Sequence, residues 1–98
     1  MSEIRFEWDP RKARSNLKKH GVSFDEASTA FYDENGLVID DPDHSEDEDR
    51  FVLLGLSAAV RLVVVVHCLR SDGDIIRLIS ARKAVPSETH VYQAQVGS

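Results

Sequence analysis

The fold is decided by residues 62–83, which read LVVVVHCLRSDGDIIRLISARK. Two apolar runs, Leu62 to Leu69 and Ile75 to Arg82, flank Asp72-Gly73, a dipeptide typical of hairpin turns. The segment Leu62–Val66 is apolar on both faces, which indicates a central strand that is covered at least in part on both sides. We therefore predict two antiparallel strands at the centre of a sheet.

Further strand candidates lie before this hairpin in the sequence. Residues 3–8 alternate polar and apolar side chains, Leu37 to Ile39 form a short apolar run, and Phe51 to Leu56 form a longer one. Strands that are joined by short turns pair antiparallel. The sequence therefore predicts a mostly antiparallel sheet of four to five strands, and Pro86 opens a final short helix or tail.

Two helices are predicted between the first two strands. Asp9-Pro10 is a helix start, because aspartate caps free N–H groups and proline suits the first helical position, and Gly21 can end this helix. Its inward positions recur at helical spacing: Ala13, Leu17 and His20. A capping box of Ser23 and Glu26 starts the second helix. The predicted class is α+β, one domain over residues 1–98, with both helices on one face of the sheet.

The charge is distributed unevenly along the 98 residues, whose net charge is −5. Residues 1–20 carry six bases and three acids, residues 21–49 carry eleven acids and no Lys or Arg, and residues 50–98 carry six bases and three acids. The two ends could form a basic groove for nucleic acid, or the charges could serve only solubility. The acid-rich stretch 40–49 is predicted to be a solvated loop rather than a cation site.

The single cysteine and the absence of long apolar runs bear on the compartment. Cys68 is the only cysteine, so no internal disulfide can form, and it most simply fills space in a strand. No run approaches the ~20 apolar residues that a bilayer span needs. The start of the chain lacks the features of a secretory signal. We predict a cytosolic protein with no membrane association, no metal and no cofactor.

The hairpin register gathers candidate site residues. If Asp72-Gly73 is a two-residue loop, His67 faces Leu78, and His67, Ser80 and Arg82 share one face while Arg77 lies on the other. If Ala58-Ala59 is likewise a two-residue loop, Arg50 lies opposite His67. A slip of one residue would exchange the faces, and a bulge would bring Arg77 to the side of Arg82.

A surface of this composition suits RNA cleavage without a metal. Histidine exchanges protons near neutral pH, and arginine stabilises the negative charge that develops on the phosphate. The alternatives are that His67 is a buried structural histidine and that Arg50 pairs with nearby acids. Lys19-His20 is a second candidate for proton transfer, although both residue types also suit a helix C-terminus.

These residues belong to a pattern that resembles the BrnT family of bacterial type II toxins, which are small RelE-like ribonucleases. The resembling segments follow one another in this order: Phe6–Pro10, Asn16–Phe24, Glu48–Arg50, Val64–His67 and Ile76–Ala84.

The resemblance implies a RelE-like fold with the RNA site on the open surface of the sheet. It also implies a BrnA-type antitoxin, through which the toxin would meet operator DNA only indirectly. The family's polar motif residues carry over to Lys19, His20, Glu48, Arg50, His67, Arg77, Ser80 and Arg82. We predict an endoribonuclease toxin in which His67 or Lys19-His20 handles protons and three arginines bind phosphate: Arg50, Arg77 and Arg82.

Two departures from the family pattern favour an alternative. Glu88 and Tyr92 are retained after the Ala-Arg-Lys-Ala motif, but Thr89 stands where an arginine is expected, and Val60 stands where a turn glycine is common. Lost positive charge weakens phosphate attraction. The alternative is therefore a catalytically weak toxin-like module that acts mainly as antitoxin partner and operon co-repressor.

Overall fold

The structure is a computed structural model that describes residues 4–40 and 50–97. Five strands form one sheet in the order β1-β5-β4-β3-β2. Their bounds are Arg5–Glu7 for β1, Leu37–Asp40 for β2, Arg50–Leu56 for β3, Leu62–Arg70 for β4 and Ile75–Lys83 for β5. Three neighbouring pairs are antiparallel, and β1 runs parallel to β5. The predicted α+β class and strand number are thereby confirmed, with a mixed sheet.

Three α-helices accompany the sheet in the described residues: α1 (Pro10–His20), α2 (Phe24–Thr29) and α3 (Pro86–Val96). Helix α1 begins and ends where the sequence predicts. The Asp9 side chain accepts a hydrogen bond from the Arg11 backbone N–H, and Gly21, at φ 73°, donates its N–H to the Leu17 carbonyl. Glycine adopts this left-handed conformation without steric cost.

Helix α2 starts with half of the predicted capping box. The Ser23 hydroxyl accepts from the Glu26 backbone N–H at 3.0 Å, as expected. The Glu26 carboxylate does not close the box but binds the Ser57 hydroxyl and the Arg61 guanidinium. A charged guanidinium is a stronger donor than a neutral backbone N–H, so the carboxylate turns toward the β3–β4 turn.

The core lies on one face of the sheet, which we call the core face. Phe24 and Ala27 of α2 pack there in one buried cluster with strand residues, namely Leu53, Val63, Val65, Leu78 and Ala81. Adjacent side chains of a strand alternate between faces, so this cluster fixes the direction of every neighbouring residue.

The inward face of α1 differs from the prediction at one position. Asn16 is buried, whereas Leu17 is 49% exposed. The Asn16 amide accepts from the Ala81 N–H at 3.0 Å and donates to the Ala81 and Val22 carbonyls at 2.8 and 2.9 Å. Strand β1 pairs only with the start of β5, so the Asn16 side chain satisfies the free backbone of Ala81.

The β3–β4 turn contradicts the predicted register. Ser57 pairs with Arg61 across a three-residue loop in which Val60 has φ 61°. Three-residue loops of this kind place their last residue in the left-handed region, where glycine is favoured. An odd loop shifts the pairing by one residue relative to a two-residue loop, so Arg50 pairs with Cys68 and not with His67.

A bulge in β5 is a second departure from the predicted register, and it changes the face on which Ser80 and Arg82 lie. The β4–β5 register agrees with the prediction up to His67, which pairs with Leu78, but Val66 then pairs with Ser80. Ile79 is therefore an extra residue on β5. Ser80 and Arg82 consequently lie on the same face as Arg77, because an inserted residue exchanges the sides of all residues that follow it.

Candidate nucleic-acid interface

The sheet face opposite to the core face, here called the outer face, carries the arginines of three strands. The observed registers place four of the predicted site residues on it, and Cys68 with them: Arg50, Arg77, Ser80 and Arg82. The bulge at Ile79 puts Arg82 on the same face as Arg77, and the three-residue loop brings Arg50 to this face.

Two adjacent rows across the strands form what we call the arginine half of the outer face. One row consists of Glu7, Arg77, Cys68 and Arg50, and the other of Arg5, Ile75 and Arg70. Arg50 and Arg77 flank Cys68 and are two strand spacings apart, or ~10 Å between backbones. Four cations and one carboxylate thus lie within these two rows.

Glu7 contacts two of these arginines. Its Oε2 accepts from Arg77 Nη1 at 2.8 Å and lies 3.4 Å from Arg70 Nε. Glu7 is on β1 and Arg70 on β4, so the carboxylate reaches across β5. Within the described chain Arg77 uses only Nη1, which leaves Nη2 and Nε available to a ligand.

The remaining rows of the outer face form the α3 half. Apolar side chains of β2, β3 and β4 lie beneath α3 and enclose, together with Glu88 and Val91, a groove of about 180 Å³: Leu37, Ile39, Val52, Leu54 and Val64. No residue of α3 is itself buried. The helix therefore lies over the sheet without a tightly packed interface.

Two polar contacts hold α3 in place. Glu88 binds both terminal nitrogens of Arg82, each at 2.9 Å, and the Tyr92 hydroxyl donates to Asp33 Oδ2 at 2.6 Å. The Arg82 guanidinium holds the pKa of Glu88 below its usual value. Burial and the neighbouring Asp33 carboxylate raise the pKa of Tyr92 to about 12. Arg82 is thus already engaged by a carboxylate of its own chain.

His67 lies on the core face, so the prediction that it shares a face with Ser80 and Arg82 is wrong. Its side chain is 3% exposed and its ring centroid is 4.8 Å from that of Phe31. Nδ1 lies 3.2 Å from the Val65 carbonyl. Burial lowers the pKa of His67, which favours the neutral ring. The bulge in β5 separates His67 from Ser80 and Arg82, and the one-residue shift in the β3–β4 turn separates it from Arg50.

The other predicted site residues lie apart from the two rows or outside the described residues. Lys19 is exposed and His20 half-buried at the end of α1, whose contacts are with β5 and α2. Glu48 and the rest of the acidic stretch from 41 to 49 lie outside the described residues. Sequence reasoning did not select Glu7, Arg5 or Arg70. The alternation of residues 3–8 puts Arg5 and Glu7 on one side, but no sequence signal shows which strand β1 joins.

The described residues contain neither a metal-type cluster nor a membrane-spanning helix. Within 4–40 and 50–97, no three His, Cys, Asp or Glu side chains are grouped so that they could hold a metal ion. Every helix in these ranges is too short or too polar to cross a bilayer.

The fold and this face define a small α+β protein whose sheet presents clustered arginines. Residues 8–88 match the family model of the BrnT ribonuclease toxins of type II toxin–antitoxin systems. The chain belongs to this family.

A solved structure supports the same fold. The chain is similar to the crystal structure of the Brucella abortus ribonuclease toxin BrnT, with a TM-score of 0.66 and 20% sequence identity. The match covers 85% of this chain and 99% of the Brucella chain. Comparison with curated protein sequences gives no match.

Proposed function

We propose that this protein is an endoribonuclease toxin that cleaves RNA on the arginine half of its outer face, without a metal. The observation that carries the proposal is the row in which Arg77 and Arg50 flank Cys68, with Arg5 and Arg70 in the next row. Guanidinium groups at this spacing can bind neighbouring phosphates of one strand, and arginine is the side chain best suited to bidentate phosphate contacts.

The chemistry would rest on charge stabilisation. When the 2′-oxygen loses its proton and bonds to the adjacent phosphorus while the bond to the 5′-oxygen breaks, the pentavalent transition state gathers negative charge on phosphate oxygens, which the arginines would stabilise. The leaving 5′-oxygen takes up a proton, so the products are a 2′,3′-cyclic phosphate and a 5′-hydroxyl. Arg77 is oriented by Glu7 and keeps Nη2 and Nε for such an oxygen. No histidine of the described chain lies in the two rows. Proton transfer by Lys19-His20 would therefore require RNA to extend to the end of α1.

Several finer statements belong to the same proposal. The fold is RelE-like, with α1 and α2 on the side of the sheet away from the RNA, which is supported by the buried cluster on the core face. A type II toxin implies a protein antitoxin, here of the BrnA type, and operator DNA would be reached only through it. A toxin that acts on cellular RNA works in the cytosol.

One observation favours a second candidate, the catalytically weak partner and co-repressor. In the α3 half, Arg82 is paired with Glu88, and Thr89 stands in place of a further cation. The positive charge available to RNA on this half is therefore reduced.

Cleavage by the purified chain distinguishes the two candidates. The gene is induced alone and with its antitoxin in a bacterial host, and the freed protein is incubated with RNA in the presence of EDTA. Growth arrest that the antitoxin relieves, together with EDTA-resistant cleavage, supports the toxin. Tight antitoxin binding with neither arrest nor cleavage supports the co-repressor. A 2′-O-methyl RNA, which lacks the attacking hydroxyl, should bind with a similar salt dependence but remain intact.

A further inference from the structure

Glu7 is the carboxylate in the arginine half of the outer face, and its place there needs an explanation. A negative charge between cations weakens the attraction of RNA phosphates, so a surface selected only for binding polyanions has no use for it. The side chain is nevertheless held between Arg77 and Arg70, and 35% of it is exposed.

The hydrogen-bonded ion pair with Glu7 fixes the direction of the Arg77 guanidinium, and Arg70 is attracted to the same carboxylate. Arg77 Nη1 donates to Glu7 Oε2 at 2.8 Å, and Arg70 Nε lies 3.4 Å from the same oxygen, within ion-pair distance. A long side chain that is held at one nitrogen loses most of its rotamer freedom before a ligand arrives, so less entropy is lost on binding. The remaining donors of Arg77 are then preorganised for an oxygen that becomes charged only in the transition state.

The ion pair between Glu88 and Arg82 differs from the pair between Glu7 and Arg77. At the other end of β5, Glu88 binds both terminal nitrogens of Arg82, which saturates that edge of the guanidinium. Glu7 binds one nitrogen of Arg77 and leaves the opposite edge available. The two carboxylates therefore act differently on their arginines. Glu88 occupies both terminal nitrogens of Arg82, whereas Glu7 orients Arg77 and leaves its other nitrogens available.

We propose that Glu7 is a positioning residue for RNA cleavage, which orients Arg77 toward the phosphate at the expense of ground-state RNA affinity. The inference rests on the proposed function above.

The test uses Glu7→Gln and Glu7→Ala in the full chain, with thermal unfolding to show that each variant folds. Removing the negative charge should tighten binding of a 2′-O-methyl RNA about threefold and steepen its salt dependence. The kcat for cleavable RNA should fall ~10-fold in Glu7→Gln, which keeps an acceptor oxygen, and ~100-fold in Glu7→Ala, because misplaced catalytic groups cost rates of this size. Opposite changes in affinity and kcat are the signature of positioning.

A matched control is Glu34→Gln, which makes the same charge change at an exposed position outside the two rows of the arginine half. It should leave kcat unchanged. Each of the following outcomes would contradict the positioning role of Glu7. Equal kcat in wild type and Glu7→Gln shows that Glu7 does not act in the reaction. Weaker binding together with lower kcat shows a structural contact only. If kcat is lost completely in both Glu7 variants and the acidic limb of the pH–rate profile disappears, Glu7 acts as a proton acceptor and not as a positioning residue. A wild-type protein without cleavage removes the proposed function and this role together.

Discussion

The arginine half and the α3 half of the outer face share strands β3, β4 and β5 but present their cations differently. In the first, the two rows contain one carboxylate and four arginines, and Arg77 uses one nitrogen in its contacts with the described residues. In the second, a glutamate takes both terminal nitrogens of Arg82, and a helix without buried residues lies over an apolar groove. Arginines that a sequence motif presents as equivalent are therefore not equivalent in the fold. The halves should respond differently to the same substitution.

The largest expected difference is between Arg77→Ala and Arg82→Ala. Loss of Arg77 should lower kcat/KM by ~10²–10³-fold, because a preorganised donor to the transition state is removed. Loss of Arg82 should lower it less than about tenfold, since this guanidinium is already bound by Glu88 and contributes mainly long-range charge. Initial cleavage rates on one defined RNA measure both. Equal losses in the two variants would contradict the division of the face.

A second prediction concerns His67, which lies on the opposite side of the sheet from both halves. His67→Leu should keep cleavage within a fewfold of wild type, because the imidazole does not reach the outer face. The substitution should change the pH dependence of stability instead. Burial lowers the pKa of His67 below its usual 6.5, so acidification protonates the unfolded chain first.

The direction of the pH dependence of stability follows from the lowered pKa of His67. Above pH 6.5 both states hold a neutral ring and nothing is lost, whereas below it the wild type loses up to about 1.4 kcal/mol per pH unit until the folded-state pKa is reached. Urea unfolding at pH 7.5, 6.5 and 5.5 should show a steeper loss for wild type than for His67→Leu. His90→Gln, at an exposed position of α3, is the control and should follow wild type. Parallel curves for wild type and His67→Leu would refute the assignment of a buried, neutral ring.

The smallest expected effect is that of Glu88→Gln, which tests whether the α3 half is self-neutralised. Freed from its carboxylate, Arg82 should tighten binding of 2′-O-methyl RNA a fewfold and add up to one unit to the salt slope. The free energy of unfolding should fall by about 1 kcal/mol, because the charge-assisted bidentate pair between Glu88 and Arg82 is lost. Filter binding across a salt series and urea unfolding measure the two effects. Unchanged affinity would mean that Arg82 does not contribute to RNA attraction.

Much of the fold is encoded in local signals. The Asp9-Pro10 start and the Gly21 end of α1, the Ser23 cap and the strands on both sides of Asp72-Gly73 all agree with the structure. These features depend on backbone donors and φ preferences within a few residues, which the sequence states directly.

The errors in the site all come from register. The loop after β3 has an odd number of residues because Val60 adopts a left-handed conformation that a β-branched side chain does not signal. The bulge at Ile79 has no local marker in the sequence. Each irregularity shifts a strand by one residue and exchanges its faces. The sequence pattern therefore wrongly places His67 on the face that carries Arg50, Ser80 and Arg82. The parallel pairing that brings Glu7 to Arg77 is a contact between residues 70 positions apart, which no short pattern reveals.

The central claim is that RNA binds the arginine half, and a backbone amide NMR titration with 2′-O-methyl RNA tests it most directly. The account predicts that the largest shift changes occur along Glu7, Arg77, Cys68 and Arg50, and that they weaken with added salt. Shift changes confined to α1 and the surroundings of Lys19-His20, with these four amides unaffected, would contradict it.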